Sequence, residues 1–217
     1  MTQKTPSRTK TLPSHRALVT ARGAKRTALG LLISLLILGT GASKTQSRPD
    51  KWAQRVPSAT LKNWYKLDAD IYRSEQPTRQ GFEEARAKGI KSIVNLRHDH
   101  SDAALVEGLG FFLMEIPMRA WSISEEDIVQ ALRAIQAAPK PVLVHCQYGS
   151  DRAGIVMAMY RVVIQNWTKE DALAEMTKGG FGFHWYYVNI PAFVKAADVA
   201  RIREKLKAPG LTDRGRG

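Results

Sequence analysis

With one cysteine, Cys146, in 217 residues, the chain can form no internal disulfide, and its stability must come from a packed core. Acidic residues are missing from the first 49 positions, which hold nine lysines and arginines (4, 8, 10, 16, 22, 25, 26, 44 and 48). Of the formal charge of +13, only 13 − 9 = +4 therefore belongs to the rest. Basicity is mostly a property of the leader, which argues against a nucleic-acid surface on the folded part; the Lys/Arg run from Lys195 to Arg216 reads as a solvated helix face and a frayed tail. The uncharged stretch from Thr27 to Ser43, with Ala28 to Gly39 as its apolar core, is shorter than the ~20 residues of a comfortable membrane span. It suits the hydrophobic region of a signal peptide, with Thr40-Gly41-Ala42 offering small residues for cleavage. The long basic region before it also fits an uncleaved N-terminal anchor.

The remaining residues suffice for one compact domain. Residues 1–42 are expected as the leader, 43–65 as a linker, 66–207 as the catalytic domain and 208–217 as a flexible tail. Runs rich in β-branched or aromatic residues, bounded by glycine or proline, predict strands near 69–73, 90–97, 111–117 and 141–146. Helical patterns fall at 78–88, 101–108, 124–138, 153–165, 169–178 and 186–207, with Ser124-Glu125-Glu126-Asp127 as a capping box and Thr168 as an N-cap. Strands alternating with helices imply an α/β fold, a central mostly parallel sheet flanked by helices, with its ligand at the strand C-termini.

Cys146 lies at such an end, in Pro141-Val142-Leu143-Val144-His145-Cys146-Gln147-Tyr148-Gly149-Ser150-Asp151-Arg152-Ala153-Gly154. The strand delivers a thiol, a short loop returns Arg152 over it, and the following helix turns free N–H groups inward. Helix terminus, backbone donors and guanidinium all favour the thiolate, the nucleophilic form. The N–H groups of Gln147, Tyr148, Gly149, Ser150, Asp151 and Arg152 form a nest for phosphoryl oxygens, and the planar fork of Arg152 can bind two of them. Gly149 permits a positive φ, while His145 and Gly154 are expected to support the loop. A cation at a helix N-terminus opposes the dipole unless an anion is to bind there.

His145-Cys146-x-x-Gly149-x-Asp151-Arg152-x-Gly154 resembles the signature loop of the cysteine-dependent tyrosine and dual-specificity phosphatase superfamily. Tyr72-Arg73-Ser74-Glu75-Gln76-Pro77, Met159-Tyr160-Arg161, Gln165-Asn166-Trp167 and Gly179-Gly180-Phe181-Gly182 look like its bacterial branch with exported members. The resemblance spans about residues 66 to 195 and implies a phosphatase fold of dual-specificity size. It also implies a phosphocysteine intermediate and a phosphorylated protein substrate, phosphotyrosine first, with phosphoserine or phosphothreonine beside it. An inositol-phosphate or phosphoinositide phosphatase, and a phosphate-binding pseudophosphatase, remain as other readings; a rhodanese-type sulfurtransferase fits less well, given the His-Cys start with Gly149 and Arg152. With the leader, the resemblance implies an exported enzyme, periplasmic or anchored to the inner membrane.

The chain departs from the superfamily pattern twice. Ala153 stands where a hydroxyl residue usually helps the thiolate depart, which implies a slower second step. Ile116-Pro117-Met118-Arg119-Ala120-Trp121-Ser122, where the proton-donating aspartate is expected, holds no carboxylate. A general acid contributes ~10²–10⁴-fold. The candidates are Asp102, then Asp151, then Asp99, ahead of Glu125 and Glu126. Arg119 and Trp121 occupy the vacant loop; Arg119 is expected to grip a second phosphate, Trp121 either to grip an aromatic ring or to pack under the loop. His98-Asp99-His100 reads as a polar loop after a strand, so no metal and no cofactor is expected.

Overall fold

The computed structural model describes residues 48–208. Six strands form one sheet: β1 (Gln54–Arg55), β2 (Tyr65–Lys66), β3 (Ile71–Ser74), β4 (Ser92–Arg97), β5 (Phe112–Met118) and β6 (Val142–His145), in the order β1-β2-β3-β6-β4-β5. The β3, β6, β4 and β5 strands run parallel, while β1 and β2 add an antiparallel edge. The helices are α1 (Arg79–Ala87), α2 (Ala103–Val106), α3 (Glu125–Ala137), α4 (Arg152–Val163), α5 (Lys169–Lys178), α6 (Asn189–Ala196) and α7 (Val199–Lys207). This is the α/β architecture expected.

Local signals account for the boundaries. Thr78 accepts a hydrogen bond from the Gly81 N–H and starts α1. Ser124 and Asp127 cap α3 reciprocally, at 3.1 and 2.8 Å, and Thr168 caps α5. Strand β6 lies between β3 and β4, and its Val142, Leu143 and Val144 are fully buried; each such side chain stabilises the fold by ~1.5–3 kcal/mol. Helix α4 is buried on nearly every side, as an apolar helix at the centre of a core must be. The chain's key turn, from β6 into α4, is therefore held by two almost wholly buried elements.

Two expectations need correction. Residues 43–65 were expected as a linker, but within the described part of that stretch Ala53, Val56, Leu61 and Trp64 are buried and β1 pairs with β2. Alternation too short to register as a strand is stabilised by packing. The single helix expected over 186–207 is two, because Ala197 takes an extended ψ of 130° and the Asp198 carboxylate caps the Arg201 N–H at 3.0 Å. A local side-chain hydrogen bond here competes successfully with helix continuation. The leader expected at 1–42 and the tail beyond 208 lie outside the described residues. Among those described, no helix is long and apolar enough to cross a membrane.

Candidate active site

Cys146 follows the last residue of β6 and is only 1% exposed, so it forms the floor of the site. Arg152, half-buried, is the first residue of α4. Between them Gly149 has a φ of +69°, and a Cβ there would lie 2.5 Å from the Ser74 carbonyl carbon and oxygen. Both the conformation and the space demand glycine.

The loop's carbonyls are engaged from outside. Gln147 O accepts from the Gln76 N–H at 3.1 Å, and Tyr148 O accepts from Asn63 Nδ2 at 2.7 Å. Gly149 O and Ser150 O accept from the Arg73 guanidinium. By contrast, the N–H groups of residues 147–151 make no hydrogen bond among the described residues. Peptide groups whose oxygens point outward and whose N–H groups lack partners form a nest for an anion.

Arg73 was not anticipated as a functional residue. It is buried, its guanidinium lies 3.8 Å over the Phe181 ring, and burial lowers its pKa to about 10, so it remains charged at neutral pH. The available signal was an arginine inside the otherwise buried strand Ile71-Tyr72-Arg73-Ser74. Glu175 is likewise buried and holds Arg161 through two hydrogen bonds of 2.8 Å, fixing α5 against α4.

The expected acids separate clearly. Asp102 is fully buried and does not face the nest; its carboxylate accepts from His145 Nε2 at 2.6 Å and from Gln76 Nε2 at 2.7 Å. Burial alone would raise its pKa, but the hydrogen bonds and charge of His145, with Gln76 and His100, outweigh burial and hold it below the usual carboxylate range. Asp102 is therefore a positioning residue, a correction to its expected first rank as proton donor. His145 supports the loop, as expected, and does so through this carboxylate.

Asp151 is buried, and both its oxygens are occupied: Oδ1 accepts from the His184 N–H at 3.0 Å and Oδ2 from His184 Nδ1 at 2.8 Å. Its role in this geometry is to hold a histidine. Asp99 is exposed beside the site; first the hydrogen bond from His98, then the Arg119 and Arg152 charges, hold its pKa below the usual range. Glu125 pairs with Arg201 and Lys205, far from proton-transfer duty. Gly154 sits where α4 meets α5, since a Cβ there would lie 3.3 Å from Met176 Cγ.

An aromatic rim surrounds the nest. Trp121, 64% exposed, does not pack beneath the loop as one expectation had it; its ring lies against Tyr186 and Tyr187. His184 lies between Tyr148 and Tyr186, with ring centroids 5.4 and 5.3 Å away. Arg119 is exposed and lines a separate shallow cleft with His98, Met118 and Asp127. His184 was read only as one of an aromatic cluster; that its partner would be a loop residue 33 positions upstream has no sequence signature.

Comparison with known proteins agrees with this geometry. The polymorphic toxin system DSP-PTPase phosphatase model matches residues 68–166. The dual specificity protein phosphatase TpbA of Pseudomonas aeruginosa is 33% identical over 184 residues, 82% of this chain and 83% of that protein. The chain belongs to the cysteine-dependent dual-specificity phosphatases.

It is a phosphatase of that family in structure too. The crystal structure of P. aeruginosa TpbA superimposes with a TM-score of 0.68 at 32% identity, covering 75% of this chain and 100% of that one. A TpbA cysteine-to-serine variant has been solved in complex with pTyr, with the same coverage and score. The inositol diphosphatase DSP5 of Arabidopsis thaliana is 25% identical over 153 residues, 66% of this chain and 74% of that protein. The phosphatase fold thus carries its signature loop from Cys146 to Arg152 at the C-terminal edge of β6, where an α/β sheet binds its ligand.

Proposed function

We propose that this phosphatase hydrolyses phosphotyrosine in proteins, with Cys146 as nucleophile and Arg152 with the loop N–H groups as the phosphate site. The observation that carries the site assignment is the loop itself: its carbonyls are held outward by Arg73, Asn63 and Gln76, and the N–H groups of residues 147–151 have no partner among the described residues. A donor ring that needs no rearrangement to meet the charge of the transition state gives electrostatic stabilisation. The aromatic rim of Tyr148, Tyr187 and Trp121 suits a phenyl ring above a buried thiol, and the TpbA complex with pTyr supports the same substrate class.

In this reading the Cys146 thiolate attacks phosphorus, and the bond to the tyrosyl oxygen breaks as that oxygen takes the Nε2 proton of a His184 imidazolium, leaving the neutral ring with its hydrogen on Nδ1. His184 Nδ1 must carry hydrogen, because an ionised Asp151 can only accept. Nε2 makes no hydrogen bond among the described residues. Water then attacks the phosphocysteine, its proton passes to His184, and inorganic phosphate and the thiolate are released. Asp99 would be too exposed and too readily ionised to replace it.

The leader supports export, with the catalytic part in the periplasm or tethered to the inner membrane facing it; nine cations precede and flank an uncharged core too short for a comfortable span. A reporter that functions only outside the cytoplasm, fused after Gly217, is expected to be active. The catalytic reading is tested with the full chain, Cys146→Ser and Arg152→Ala, on an aryl phosphate with chelator present. Activity in the wild type only, with phosphate trapped on Cys146, is the expected result. Phosphate or vanadate binding without turnover would instead identify a binding protein. The relatives named as inositol diphosphatases, together with exposed Arg119, support a second reading, and faster hydrolysis of inositol polyphosphates than of phosphotyrosine peptides would favour it.

A further inference from the structure

Beside the phosphate loop lies a second cleft of about 380 Å³. Its walls include Arg55 at the end of β1, Lys62 and Asn63 of the hairpin turn, and Tyr148, Ser150 and His184 at the loop rim. Asn63 pins the turn by donating to Tyr148 O at 2.7 Å and Phe181 O at 2.8 Å, and Ser150 Oγ donates to Phe181 O at 2.7 Å. The three walls are thus tied to one another. Asn63 adopts a φ of +48° in doing so, an uncommon conformation for a residue with a side chain.

The charge in this cleft is not neutralised. Arg55 and Lys62 are exposed and make no ion pair among the described residues. The one carboxylate in the lining is Glu75. Because the cleft shares Tyr148 and Ser150 with the signature loop, a phosphotyrosine seated over Cys146 would direct a neighbouring residue of its chain into it.

We infer that this cleft reads an acidic side chain flanking the phosphotyrosine, with Arg55 and Lys62 as specificity-determining residues for an acidic phosphopeptide. The inference rests on the phosphotyrosine-protein reading above. Two exposed cations near one carboxylate act through a short-range attraction that salt weakens. The selected peptide gains mainly in encounter and binding, not in the chemical step.

The test uses the full chain and phosphotyrosine peptides that carry glutamate or glutamine at each of the three positions on either side, with an aryl phosphate as reference. Wild type is expected to favour glutamate at one or two positions on one side by about fivefold to tenfold in kcat/KM, and less in high salt. Arg55→Glu/Lys62→Glu should abolish or reverse that preference, Arg55→Gln/Lys62→Gln should abolish it, and aryl phosphate hydrolysis should stay within about twofold. Equal rates for glutamate and glutamine peptides, or a preference that survives both double variants, would overturn the inference while leaving the phosphotyrosine reading intact. Variants that lose aryl phosphate hydrolysis in the same proportion would also overturn it, by placing these residues in support of the loop. Aryl phosphate hydrolysis with no peptide hydrolysed would overturn the phosphotyrosine reading itself, and preferred cleavage of inositol polyphosphates would reassign the cations to a second phosphate.

Discussion

Asp151 receives two hydrogen bonds from one residue, His184, through the backbone N–H at 3.0 Å and the ring Nδ1 at 2.8 Å. This pairing ties the signature loop to the aromatic turn after Phe181 and fixes the imidazole ring. It occupies the very carboxylate that would otherwise be the handiest acid in the loop.

If His184 supplies the proton, its loss must be felt in proportion to how badly the leaving group needs one. His184→Ala is expected to lower kcat/KM about 10²-fold or more for a poor phenolic leaving group. Dinitrophenyl phosphate, whose leaving group needs no proton, should lose only a few-fold. Asp151→Asn should follow the same pattern more weakly, since the ring then loses its orienting charge. Measuring a leaving-group series for wild type and both variants checks this; a uniform loss across the series would show that the pair only shapes the loop.

Asp102 should matter to stability more than to proton transfer. Replacing it by alanine leaves His145 Nε2 and Gln76 Nε2 buried without an acceptor, a cost of about 1–3 kcal/mol. Its carboxyl is held below its unfolded value, so its contribution is fully present above the unfolded pKa of about 3.9 and is lost as pH falls through the lower folded value. Urea unfolding of wild type and Asp102→Asn between pH 7 and pH 3 should therefore converge at the acid end. A gap that widens on acidification would contradict the assigned sign.

Gly149→Ala tests the cradle's geometry. The added Cβ meets the Ser74 carbonyl at 2.5 Å, at a φ of +69°, and positive φ strain alone costs on the order of 1–3 kcal/mol. The Ser74 backbone cannot yield without shifting β3, which is paired with β6. Affinity for vanadate or phosphate is expected to fall at least tenfold together with the unfolding midpoint. Unchanged anion affinity would show that the nest tolerates a different loop path.

How far the chain could be read before folding depends on which residues are considered. The four parallel strands and the helices α1, α3, α4 and α5 were legible because hydrophobic period, caps and flanking glycines are local. Strands β1 and β2 were not, since two-residue strands carry no periodicity and exist only through Trp64 and its neighbours in the core. The spacing from Cys146 to Arg152 pointed to the site for the same local reason: strand, loop and helix terminus are consecutive.

By itself, the sequence determined an α/β chain with a thiol, a donor loop and a guanidinium converging on an anion, because those groups are neighbours along the backbone. Only the tertiary structure decided what each carboxylate does. Asp102 went beneath His145 and Asp151 to His184, from 43 and 33 residues away. It also brought Arg73 beneath the loop carbonyls and set Arg55 and Lys62 beside Tyr148. A carboxylate's role follows from burial and from which donors reach it, and those are properties of packing between distant segments that no local pattern encodes.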